Sequence, residues 1–328
     1  MMREELRKQC EIFLENRDVV KETFKWEISL LFPVCASVFT NKGQVATKEK
    51  LQECSEMVKK DAGIFSEFRG NAKLAVISML ATEENPNEIW SVTQRYYKKL
   101  REQFQPSPYL AVAAVVLAQN VEENEAEQYI IRGKKLYEMM KKNHPFLTYR
   151  EDSIFAILLG MSDDTNDDAV MERVEKAYHY LKGHFSSSND VQSLSHCLSI
   201  VSGNMDERCN KVVRVFDMLK NAGVKYGQRY ELASLGALTL IPIEENCIVE
   251  DIIAVDTFLS DKKGYKGLCR ESKKNRLMHA SMIVTSAYCN SDTANVAAIT
   301  ATLAMIAAQE AAMCAIMAST VAASAASN

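Results

Sequence analysis

A period of about 40 residues runs through most of this chain and leaves it few folds to choose from. Met57, Tyr97, Tyr137, Tyr178, Phe216 and Val255 open equivalent segments, each continuing to Leu or Met and usually to a basic residue. Their successive spacings are 40, 40, 41, 38 and 39 residues. Each is followed by a second, more apolar segment. These second segments begin at Asn71, Tyr109, Asp152, Gln192, Glu231 and Arg276, and an earlier copy begins at Glu27. Self-similarity at this period is the mark of stacked supersecondary units, because one unit cannot bury its apolar face alone.

The two segment types differ in pattern. In 88–104, Ile89, Trp90, Val92, Tyr96, Tyr97, Leu100 and Phe104 fall on one stripe, with Lys and Arg opposite. That predicts an outer helix with one wet face. The second type, as in LAVAAVVLA (110–118) or SIFAILLGM (153–161), is apolar nearly all round and predicts a covered inner helix. Acidic pairs such as Glu83-Glu84 and Glu122-Glu123 precede the outer segments, where they favour the positive end of a helix dipole. Only 12 Gly and 6 Pro punctuate 328 residues, too few for the frequent tight turns of a β-sandwich or barrel.

The fold class expected is therefore all-α. Tandem helical hairpins of about 40 residues form a curved α-solenoid or, if the stack closes, an α/α toroid. One helical-repeat domain spans 1–328: an N-terminal helical pair over 1–45, about six hairpins over 46–290, and an Ala-rich helix and tail over 293–328. That tail holds fifteen Ala and a single charged residue, Glu310. It reads as a terminal inner helix. The alternative is membrane association through 293–323, weakened by the feeble apolarity of Ala and by Gln309-Glu310 in mid-span.

A net charge of −4 excludes a bulk electrostatic binder of nucleic acid. The nine cysteines are odd in number and form no C-x-x-C pair, so they read as reduced thiols, and the chain as cytoplasmic. The N-terminus lacks the apolar core of a signal peptide. No Walker A, G-x-G-x-x-G, G-x-S-x-G or H-E-x-x-H motif is present, and the aspartates of 163–168 fall in a loop. No catalytic residue, metal or cofactor is therefore expected.

In a stacked array the inner-segment starts line one rim. The candidate ligand-binding residues are Arg69, Asn71, Tyr109, Arg150, Asp152, Gln192, His196, Arg229, Glu231, Arg276 and His279. Arg69, Arg150 and Arg229 recur in alternate repeats and would make the rim partly cationic, with Asp152 and Glu231 as candidate acid/base carboxylates. Against this stands a structural reading in which the same groups cap helices and bridge repeats. His196 and His279 lie on inner segments without a ligand-type partner one turn on, which favours core histidines. His144, His179 and His184 are expected in solvent. The connection 260–276 carries seven basic and two acidic residues and reads as a solvated insertion or a contact for an anionic partner.

The segments GIFSEFRGN (63–71), SPYLAVAAVVLA (107–118), HPFLTYREDSIFAILL (144–159), NDVQSLSHCLSI (189–200), YELASLGALTLIP (230–242) and AAQEAAMCA (307–315) resemble a bacterial all-helical family, domain-of-unknown-function family 4003. The resemblance runs over nearly the whole chain. It implies one full-length helical domain and carries no activity, cofactor or site residue. The function expected is a non-catalytic scaffold that binds a protein, peptide or other ligand on a concave face. The alternatives are an α/α-toroid enzyme or small-ligand binder with a polar central pocket, and a membrane-associated protein using its Ala-rich helix.

Overall fold

Caps and dipole chemistry start the helices where the repeat predicts them. A computed structural model describes residues 2–63, 66–70, 72–162, 164–267 and 270–288. Asn71 and the Ala-rich segment 293–328 lie outside the described residues. Among the described residues there are fourteen α-helices and no strand. They are α1 (Glu4–Thr23), α2 (Leu31–Asn41), α3 (Lys48–Asp61), α4 (Lys73–Ala81), α5 (Pro86–Gln103), α6 (Pro108–Asn120) and α7 (Ala126–Asn143). Then follow α8 (Asp152–Gly160), α9 (Asp167–Lys182), α10 (Ser188–Ser199), α11 (Met205–Asn221), α12 (Leu232–Leu238), α13 (Glu245–Ser260) and α14 (Lys273–Tyr288).

The Ser107 hydroxyl accepts from the Leu110 amide at the start of α6, and Asn166 and Asn204 cap α9 and α11 in the same way. Pro86 and Pro108 open α5 and α6, where a missing N–H costs nothing. The end of α11 needs a glycine. Gly223 turns at φ 77° while the Val224 amide reaches back to the Leu219 carbonyl.

The odd-numbered helices each keep a wet face. The even-numbered ones do not: every residue of 109–117, 152–160 and 232–238 is buried. Even helices therefore form an inner layer and odd helices an outer one. The even helices begin within about four residues of the starts read from the repeat.

Successive outer helices run parallel. Arg95 pairs with Glu123 and, one turn further on both sides, Lys99 with Glu127. Lys176 meets Asp206, and Tyr180 meets Asn210. The same neighbour relation links α1 to α3 and onward to α13, and α13 packs against α1. The inner layer repeats this from α2 to α14, and α14 packs against α2. At the α13–α1 joint Arg3 binds Asp251, and the Arg7 guanidinium lies 5.7 Å from the Phe258 ring centre. Here the first turn of one outer helix meets the middle of the previous one, as Asp206 and Lys176 do between α11 and α9, with the charges exchanged.

Within the α7–α8 hairpin the two backbones come very close. A Cβ on Gly133 would stand 2.7 Å from Ile157 Cδ1 and 3.1 Å from Ile157 Cα, and one on Gly160 would stand 3.0 Å from the Gly133 nitrogen. Glycine on both sides lets the backbones touch. Because each hairpin runs outer helix first, the outer-to-inner connections gather at one end of the molecule. This end holds the N-termini of the inner helices and most of the candidate residues.

Candidate functional site

The residues at that end fall into two buried polar groups. The first lies between α8 and α10. Asp152 opens α8, and its Oδ2 accepts the Tyr149 amide at 2.8 Å. On the neighbouring helix, His196 Nδ1 stands 3.6 Å from Asp152 Oδ1, beyond hydrogen-bond reach. The imidazole is 1% exposed, and neither ring nitrogen has a hydrogen-bond partner among the described residues. The Phe155 ring packs beside it at 5.3 Å. One turn earlier on α10, Gln192 donates its amide to the Thr148 hydroxyl at 3.0 Å, while its Oε1 has no partner among the described residues. Three residues singled out from the sequence, Asp152, Gln192 and His196, are thus brought together, with Thr148 added from the α7–α8 connection.

Burial dominates the electrostatics here. It pushes the Asp152 carboxyl up to about 7, against the pull of the Tyr149 amide. It holds His196 down to about 3, helped by the like charge of His144. Near neutrality the imidazole is uncharged and the carboxyl is close to its midpoint. An imidazole held this low is a hydrogen-bonding group rather than a proton acceptor near neutrality, so the carboxyl is the titrating member of the pair. His144 itself is half-buried, against the expectation of a solvated side chain. Its Nε2 lies 2.9 Å from the Glu175 carboxylate of α9, and its ring packs on Tyr178.

The second group lies between α12, α14 and the connections before them. The Glu231 carboxylate accepts the Arg229 amide at 3.0 Å and occupies the open face of Gly227, where a Cβ would come within 2.1 Å of it. Tyr226 is hydrogen-bonded to Ser234 at 2.6 Å and donates to Ser281 at 3.0 Å. His279 is a satisfied core histidine: its Nδ1 meets the Tyr265 hydroxyl at 2.8 Å. Burial and the nearby Arg17 lower it to about 3. Tyr265 belongs to the basic connection, is 1% exposed, and anchors what the sequence reads as a solvated insertion. The Glu271 amide bonding the Gly264 carbonyl holds the same segment.

The remaining candidates stand apart. Arg276 is engaged by both carboxylate oxygens of Asp256, at 2.7 and 3.1 Å. The Arg69 guanidinium donates to the Lys59 carbonyl and lines an open cavity of about 350 Å³ with Glu56, Lys59, Phe68 and Lys73. Arg150 and Arg229 are exposed, and Tyr109 is buried at the start of α6. Among the described residues no hydrogen bond or ion pair joins these arginines to the Asp152–His196 pair. No group of three His, Cys, Asp or Glu among the described residues has metal-holding geometry.

Sequence reasoning missed Thr148, Tyr226 and Tyr265. A tyrosine in a polar connection and a threonine ahead of a helix carry no local sign of burial.

The sequence model of a family described as a protein of unknown function, DUF4003, matches residues 16–311. The chain belongs to this family. It is also similar to the uncharacterized protein YeaA of Bacillus subtilis (strain 168), with 22% identity over 275 residues covering 81% of this chain and 82% of that one. No solved structure matches the chain significantly. Both groups described above lie within the matched span. No helix among the described residues is long and apolar enough to cross a membrane.

Proposed function

We propose that the chain is a closed α/α toroid of seven hairpins that binds a small polar ligand between α8 and α10. Closure is supported by the packing of α13 on α1 and α14 on α2, with the first joint using the parallel, staggered contact of the other outer pairs. A scaffold with an open concave groove has less support, because the inner helices present no exposed face along 109–117, 152–160 or 232–238. Any protein or peptide partner would then meet the outer layer or the ends.

The observation that carries the ligand reading is His196. Among the described residues both imidazole nitrogens and the Gln192 Oε1 one turn away are unpaired, and a buried unsatisfied group costs about 1–3 kcal/mol. A ligand offering two donors and one acceptor, such as a polyol, an amide or an amino acid, would satisfy these groups. Asp152 would then supply or accept a proton at neutral pH.

The test is thermal-shift screening of the full chain against neutral sugars, polyols, amides and amino acids, with His196→Phe run in parallel. A compound that raises the Tm of the native chain and not that of H196F supports the reading. No stabilising compound, or a shift that H196F retains, refutes it.

A further inference from the structure

Helix-dipole chemistry, repeated seven times in parallel, gives this protein two unlike ends. Outer helices begin with acids and, α13 excepted, end with bases, so each gains a little from its own dipole. Side by side, the small terms become a surface property. The inner-to-outer connections and first outer turns expose Glu84, Glu122, Glu123, Asp206 and Glu244. The opposite end exposes Lys25, Arg150, Lys225, Lys263, Lys266 and Arg270, none of which has an ion pair among the described residues.

The basic end also carries aromatic side chains that no capping argument explains. Trp26, between α1 and α2, is 98% exposed, and Phe146 and Tyr149, between α7 and α8, are 84% and 53% exposed. Phe146 sits on a fixed turn. The Tyr149 hydroxyl donates to its carbonyl, the Tyr137 hydroxyl donates to the carbonyl of Tyr149, and the Leu147 and Thr148 amides bond the His144 carbonyl. In the inner layer α2 neighbours α4 and α14, whereas α8 neighbours α6 and α10. The two aromatic points therefore stand on opposite sides of one end, with the basic 261–270 connection beside the first.

We propose that this end docks on an anionic lipid surface, with Trp26, Phe146 and Tyr149 entering the headgroup region and the surrounding Lys and Arg facing lipid phosphates. Aromatic rings prefer the membrane interface, and basic groups are drawn to anionic headgroups within a Debye length. A planar partner reaches contacts on opposite sides of a ring end at once. A linear polyanion follows a continuous basic stripe, and here the groups sit on separate connections. The acidic end, held away from the same surface, orients the molecule. This docking is independent of the Asp152–His196 ligand reading.

The full chain has two tryptophans. Trp90 is 2% exposed and donates to Asp61 at 3.0 Å, so a change in emission reports Trp26. The probes are phosphatidylcholine vesicles, alone and with about 30% phosphatidylglycerol, at about 50 mM and about 500 mM salt. The expected result is flotation with the phosphatidylglycerol vesicles at low salt, a blue shift of Trp26 emission, and release at high salt. The triple variant Trp26→Ser, Phe146→Ser, Tyr149→Ser and the variant Lys263→Glu, Lys266→Glu, Arg270→Glu should each bind at least about tenfold more weakly, with unchanged far-ultraviolet circular dichroism. No flotation with phosphatidylglycerol, or flotation that both variants retain, overturns the proposal. So does a single-stranded oligonucleotide that binds as tightly as the vesicles and competes for the same residues.

Discussion

Asp152 and His196 make the pH dependence of stability a direct probe of the buried pair. A carboxyl raised on folding from 3.8 to about 7 binds its proton more tightly in the folded state. Its contribution is fully present below pH 3.8 and is lost as pH rises through 7. The slope is about 1.4 kcal/mol per pH unit, or about 4 kcal/mol across the window. An imidazole lowered from 6.5 to about 3 does the reverse, and its contribution is lost as pH falls below 6.5. Between pH 3.8 and 6.5 the two slopes cancel, because folding moves one proton from imidazole to carboxyl without net uptake. Asp152→Asn keeps an oxygen for the Tyr149 amide and cannot ionise. Its stability relative to the native chain should therefore rise by about 1.4 kcal/mol per pH unit between pH 4 and 7 and then level off. His196→Gln should show the opposite trend below pH 6.5. The assay is urea unfolding followed by far-ultraviolet circular dichroism at pH 4.5 to 8 in half-unit steps, with midpoints compared at each pH. If the difference between D152N and the native chain is flat from pH 5 to 8, the carboxyl does not titrate near 7 and the reasoning fails.

Other expectations follow from particular contacts. Gly133→Ala places a Cβ against Ile157 and should cost about 1–3 kcal/mol, read as a lower Tm, whereas an unchanged Tm would show that α7 and α8 separate freely. Tyr265→Phe leaves His279 Nδ1 buried and unpaired and should destabilise by about 1–3 kcal/mol, with the imidazole resonance of His279 shifting in NMR spectra. Phe13→Ala on α1, a fully buried position, should cost about 3–5 kcal/mol and speed amide exchange in α13 as well as α1. In an open array the loss would stay within the first hairpins, so protection of α13 equal to that of the native chain would argue for an open stack.

Much of the architecture was legible because it depends on short-range rules. The alternation of striped and wholly apolar segments follows from how much of each helix is covered, and the acidic pairs before outer helices follow from unpaired amides and the dipole. The site was legible only in part. Asp152 and Gln192 stand out as polar groups at equivalent starts of inner segments, and His196 as a histidine four residues into one. Their meeting depends on how far α8 and α10 are rotated against each other. Tyr265 reads as a solvated loop residue because seven basic residues share its connection, yet its ring packs against Arg17 and against His279, whose other neighbour is Phe13.

The sequence by itself determined a stack of about 40-residue helical hairpins with a dry inner layer, because period and pattern are local properties of the chain. It also determined the unlike ends, since each helix collects its own caps and each hairpin keeps one polarity. Only the tertiary structure decided that α13 returns to α1, since that contact is set by small rotations summed over all the joints and joins residues such as Arg3 and Asp251 that have no local relation. It alone decided that, among the described residues, His279 finds a partner and His196 does not, because a buried hydrogen bond depends on the last few ångströms between neighbouring helices.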